Sequence, residues 1–134
     1  MTDRVSFRPR ELQIEADGGI RLLGSRCPEC GAHFFPVREV CARCLTELEP
    51  FRLSTEGTLY TCTVVRQSTP AFEVPYILGY VDLPEGVRLM AQLTGLDTDE
   101  VRIGMRLELV PADWGIDPEG RQLVGYKFRP KEAA

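Results

Sequence analysis

The chain reads as all-β, an N-terminal zinc ribbon followed by a five-stranded barrel of the OB type, and three observations predict this. Two Cys-x-x-Cys knuckles, Cys27–Cys30 and Cys41–Cys44, stand ten residues apart, a spacing that lets four thiolates close one tetrahedral site. After Phe51 the apolar positions fall in short β-prone runs rich in Val, Leu, Thr and Tyr, each bounded by Gly or Pro. Those runs come as one long strand, a hairpin and two further strands, the order of a small OB barrel.

Taken in order, residues 1–19 mix charges with one proline and few apolar positions. They are expected to form an arm that is poorly ordered or orders only on a partner. Asp17-Gly18-Gly19 makes a turn, and Ile20–Arg26 is a strand that leads into the first knuckle. Gly31 suits the left-handed conformation that follows such a knuckle. His33–Val37 is short, aromatic and β-prone, as a return strand should be. Residues 20–46 therefore make a rubredoxin-like ribbon, too small to hold a core without its metal, whose binding contributes on the order of 10 kcal/mol of apparent folding energy.

Residues 47–134 form the barrel domain. A connector with a strand at Phe51–Leu53 precedes a long strand at Gly57–Arg66. Gln67–Val74 is a loop in which Pro70 and Pro75 bracket Phe72. Tyr76–Leu83 and Val87–Leu93 make a hairpin through Pro84-Glu85-Gly86. Asp97–Glu100 suits one helical turn, Met105–Val110 alternates as a fourth strand, and Gln122–Arg129 is the fifth. Between the last two, Asp113–Gly120 reads as a loop holding the single tryptophan, Trp114.

Composition bounds the function. The chain has 134 residues, 43% hydrophobic and 27% charged, as an ordinary globular protein does. Twenty acidic against sixteen basic side chains give a formal charge of −4, which opposes broad attraction to phosphate backbones. No apolar run approaches the roughly 18 residues of a bilayer span and no leader is evident. The expected compartment is the cytoplasm, where thiols stay reduced and Cys-x-x-Cys pairs read as metal ligands.

Cys27, Cys30, Cys41 and Cys44 are the predicted metal ligands. A closed four-thiolate site takes zinc, or iron in a rubredoxin-type centre; Cys44-Leu45 lacks the glycine a rubredoxin usually carries there, which favours zinc. Four thiolates around a divalent ion leave net negative charge, and Arg26, Arg38 and Arg43 are placed to offset part of it. With no open position, the metal is structural. Cys62 shares a strand face with Tyr60 and Val64 and reads as a buried thiol. His33 is the sole histidine and has no nucleophile or carboxylate set around it, so no catalytic constellation emerges. Arg66, Arg88, Lys127 and Arg129, on or beside strands, are candidates for contact with a partner or with a phosphate-bearing ligand. Phe72 is a candidate partner anchor, because a loop aromatic has fewer ways to be buried in the core.

Several of these stretches together resemble one known family. Arg21–Gly31, Phe35-Pro36, Arg38, Cys41–Cys44, Gly57–Thr61, Pro75–Leu83, Gly86–Leu93 and Ile103–Arg106 look like the zinc-ribbon and OB-fold proteins once filed as a domain of unknown function and now associated with acyl-CoA metabolism. The resemblance covers roughly residues 20–130. It implies a zinc-binding, non-catalytic accessory subunit assembled with thiolase-like enzymes, lyases or hydratases that act on CoA thioesters, one that supports the partner and, in some relatives, helps hold the acyl-CoA. The chain departs from many relatives in lacking an amphipathic helix before the ribbon. An OB-fold nucleic-acid-binding protein is the alternative, suggested by architecture alone.

Overall fold

The computed structural model describes residues 4–67, 69–70 and 74–131. Ten strands and no helix are found among them. The barrel strands are β6 (Glu56–Val65), β7 (Tyr76–Asp82), β8 (Arg88–Leu93), β9 (Arg106–Ile116) and β10 (Gln122–Pro130). Pairing runs β8-β7-β6-β9-β10 and returns from β10 to β8, so five strands close on themselves. Closure removes the free edges an open sheet would carry. The seam is narrow: β10 meets β8 in parallel at Phe128 and Leu93, with the Thr94 N–H donating to the Phe128 carbonyl at 2.9 Å.

The β7–β8 hairpin forms where the sequence places it. Gly86, at φ +91°, supplies the left-handed residue of its turn, and the Leu83 N–H donates to the Val87 carbonyl at 2.8 Å. A bulge between Leu59 and Thr61 shifts the register of β6 on β7. Side chains after it therefore change face: Cys62 packs on the core, whereas Tyr60 is 50% exposed. The shared face expected for Tyr60, Cys62 and Val64 is corrected by this bulge.

The ribbon is built on β3 (Ile20–Arg26). Its first half pairs with β2 (Leu12–Ile14), and its second half with β4 (His33–Phe34) and β5 (Glu49–Arg52). Gly24 is required there, since a Cβ would lie 2.3 Å from the Phe34 carbonyl oxygen. Residues 4–14, expected in an arm without fixed structure, instead carry β2 and β1 (Arg4–Ser6), the latter parallel to β10. Likewise β9 runs to Ile116, through the first half of the segment read as a loop. Asp97–Glu100 closes as a single turn, the Glu100 N–H donating to the Asp97 carbonyl at 3.0 Å.

One apolar cluster joins both parts. Leu12, Ile20, Leu22 and Leu53 from the ribbon side pack in the same core as Leu59, Val81, Leu107, Val124 and Phe128 of the barrel. Phe35 meets Tyr126 edge-on at 6.5 Å. The knuckles project from this shared core, so what fixes them at the base is the barrel itself. Among the described residues no helix is long and apolar enough to cross a membrane.

Candidate metal centre

The two knuckles are local copies of one design. In the first, the Cys27 N–H donates to the Ala32 carbonyl at 2.8 Å and the Gly31 N–H to the Cys27 carbonyl at 2.9 Å. In the second, the Cys41 N–H donates to the Thr46 carbonyl at 2.9 Å and the Leu45 N–H to the Cys41 carbonyl at 3.0 Å. Gly31 takes φ +77° and Leu45 takes +57° at the matching position. A side chain in that conformation costs roughly 1–2 kcal/mol, so Leu45 accepts strain to complete the turn while its side chain is 79% exposed. The glycine missing from the second knuckle is thus replaced in conformation though not in kind. Thr46 Oγ1 donates to Glu29 Oε2 at 2.8 Å, a tie between the knuckles that no sequence spacing announced.

The four sulfurs all lie within 4.8 Å of one another, with Cys30 Sγ and Cys41 Sγ at 3.8 Å. A tetrahedral ion bonded to sulfur at about 2.3 Å sets its ligands about 3.8 Å apart, so the donor set fits a metal. Cys27 and Cys41 are buried, Cys44 is partly buried and Cys30 is exposed. The thiols alone are electrostatically unbalanced. Backbone N–H groups of Cys44 and then Arg43 draw Cys41 down to about 7. Cys44 is pushed up to about 12, first by its hydrogen bond with Cys30 and then by burial. One thiolate forms readily and the next resists, which is the condition a cation among them relieves. The four cysteines form a cluster that can hold a metal ion.

The neighbouring cations serve other contacts. Arg26 pairs with Glu49 at 2.7 Å, and the Arg38 guanidinium lies over the Phe34 ring at 5.4 Å while the Arg38 backbone N–H donates to buried Ser25 Oγ. The charge offset at the sulfurs comes from backbone N–H groups, as at Cys27 Sγ, which accepts from Cys30 N–H at 3.5 Å. His33 packs edge-on against Phe51 at 4.5 Å, on the base of the ribbon.

The candidate contact residues are dispersed. Arg88 holds Asp82 through two hydrogen bonds of 2.6 and 3.1 Å and covers the Tyr60 ring at 3.4 Å. That contact keeps the Asp82 carboxyl below its usual range, against a smaller opposing effect of burial. Arg129 donates to Glu108 at 2.8 Å. Lys127 and Arg129 line separate grooves, and Arg66 is exposed just past β6. Phe72 lies outside the described residues.

Two family models match the chain, described as the rubredoxin-like zinc ribbon domain of ChsH2 over residues 20–49 and the C-terminal OB-fold domain of ChsH2 over residues 52–111. A DUF35 domain-containing scaffold protein of Methanocaldococcus jannaschii is 39% identical across 83% of this chain and 82% of its own length. The benzoylsuccinyl-CoA thiolase subunit BbsA of Geobacter metallireducens is 34% identical across 95% of this chain and 87% of its own. Among solved structures, one titled Ltp2-ChsH2(DUF35) aldolase superposes with a TM-score of 0.71 at 33% identity, covering 82% of this chain and 84% of that one.

Proposed function

The chain belongs to the family of ChsH2-type zinc-ribbon and OB-fold proteins, and on that premise we propose that it is a non-catalytic accessory subunit of a thiolase-like acyl-CoA enzyme. The observation that carries the reading is the near full-length match to a thiolase subunit and to scaffold proteins: the two modules found here are most of what those relatives contain. Within the reading the metal is a structural zinc held by Cys27, Cys30, Cys41 and Cys44. When bound, it cross-links the knuckles and offers no open position for substrate.

The chemistry of the remaining side chains supports the same division of labour. Arg88 and Arg129 are engaged by Asp82 and Glu108 within the chain, so the CoA thioester is held chiefly by the partner. Cys62 is partly buried against the core, and the chain's single histidine, His33, packs on Phe51 of the ribbon, whereas a nucleophile needs a base beside it.

The test is recovery of the tagged chain from its native cell, with the co-purifying proteins identified by mass. An enzyme acting on CoA thioesters is expected in stoichiometric amount. Recovery of the chain alone, or with nucleic acid in place of an enzyme, contradicts the proposal.

A further inference from the structure

A groove of about 1040 Å³ runs beside the β8–β10 seam. Its walls come from the start of β7, the segment after β8, and the β9–β10 arm. It lies against the ends of the second and third barrel strands, part of the face on which OB barrels take their ligands. The chemistry of this groove is unusual for the fold. Asp97, Asp99 and Asp113 line it, and Lys127 is the one cation among the lining residues. None of the three aspartates makes an ion pair among the described residues, and Glu100 stands with Asp97 and Asp99 so that their oxygens lie within 4.8 Å.

The same wall holds Trp114, whose ring is fixed rather than free. It rests on Gly125 so closely that a Cβ there would lie 2.5 Å from the indole, and Phe7 braces it at 5.2 Å. The ring nevertheless keeps 41% exposure. A braced, half-open aromatic face beside three carboxylates that make no ion pair among the described residues is matched by one side chain above others. A guanidinium stacks flat on the ring and divides its five N–H donors among acceptor-only oxygens. Phosphate-bearing ligands are repelled by the same carboxylates. Tryptophan and arginine are also the residues that dominate protein interfaces.

We propose that this groove docks an arginine presented by the partner enzyme, stacked on Trp114 and paired with Asp97, Asp99 and Asp113. This rests on the accessory-subunit reading for the identity of the partner, while the ligand class rests on the groove alone.

Trp114 is the chain's single tryptophan, so its fluorescence reports the groove directly. The full chain is titrated with acetyl-Gly-Arg-Arg-Gly-amide, with the matching citrulline peptide and with coenzyme A. A saturable change with the arginine peptide is expected, absent with citrulline and weakened about tenfold or more in the Asp97→Asn, Asp99→Asn, Asp113→Asn variant, as loss of paired charges implies. All three positions lie at the surface, and metal content with melting temperature verifies that the variant is folded. An equal response to citrulline, an undiminished response in the variant, or stronger binding of coenzyme A overturns the proposal. The variant is also used as bait in the native cell and is expected to lose the enzyme. Undiminished recovery of the enzyme overturns the arginine anchor and leaves the accessory role standing. Should the unmodified chain recover no acyl-CoA enzyme, the accessory role fails, and the peptide titration still decides the ligand class.

Discussion

At the scale of single residues, the four cysteines carry the ribbon, and their roles divide by environment. Cys41 is buried and receives two backbone N–H groups, which draw its thiol down towards the thiolate. Cys41→Ser replaces it with a hydroxyl that binds zinc poorly and does not ionise near neutral pH. Elemental analysis of that variant is expected to show loss of most of the metal, together with a lower melting temperature; full metal content and unchanged melting would refute the ligand assignment. The clustering of the four sulfurs was readable from spacing because two Cys-x-x-Cys turns bring them to fixed reach. Leu45 was not, since nothing in a leucine signals a left-handed backbone; the turn's hydrogen bonds impose it. Nor was the exposure of Tyr60, because a bulge breaks the period-two rule without leaving a mark in the residues themselves.

Strands were legible where burial alternates cleanly and turns are marked by Gly or Pro. Ile20–Arg26 is found with the bounds read from sequence, and the β7–β8 hairpin differs by a residue at its inner ends. β9 was cut short because Asp113–Gly120, with Gly115, Pro118 and Gly120, read as a loop, and Pro111 also lies within the strand that forms. Beyond Glu108, however, β9 has left β6 and pairs with β10 alone, and an edge strand tolerates a proline that a central strand rejects. β1 and β2 have three residues each, too few for a periodic signal, and they exist because β10 and β3 offer edges to pair with. The element most sensitive to a small change is β3. Gly24→Ala drives a methyl into the Phe34 carbonyl and against Leu53, where the gap to Leu53 Cδ1 is 3.3 Å. The loss expected in a urea titration is about 1–3 kcal/mol or more, with weakened metal retention because β4 carries the chain between the knuckles. A variant as stable as the parent would mean that β3 and β4 are not closely paired in solution.

For the molecule as a whole, the sequence divided the chain at residue 46 into ribbon and barrel, and the structure places one core beneath both. Leu22 and Leu53 are fully buried among barrel side chains, so the ribbon is rooted in the barrel core. The groove at the barrel mouth is acidic, which agrees with a formal charge of −4 and opposes phosphate-rich ligands. It was hidden from the sequence because Asp97, Asp113 and Trp114 meet only through barrel closure. These features suit an accessory subunit that meets a protein partner. The most direct test expresses the co-purifying acyl-CoA enzyme with and without this chain and measures its turnover of CoA thioester. The account predicts that the enzyme loses activity or solubility when the chain is withheld, and that the chain alone turns over nothing. An enzyme equally active and soluble without it, or a purified chain that condenses or hydrolyses CoA thioesters unaided, would contradict it.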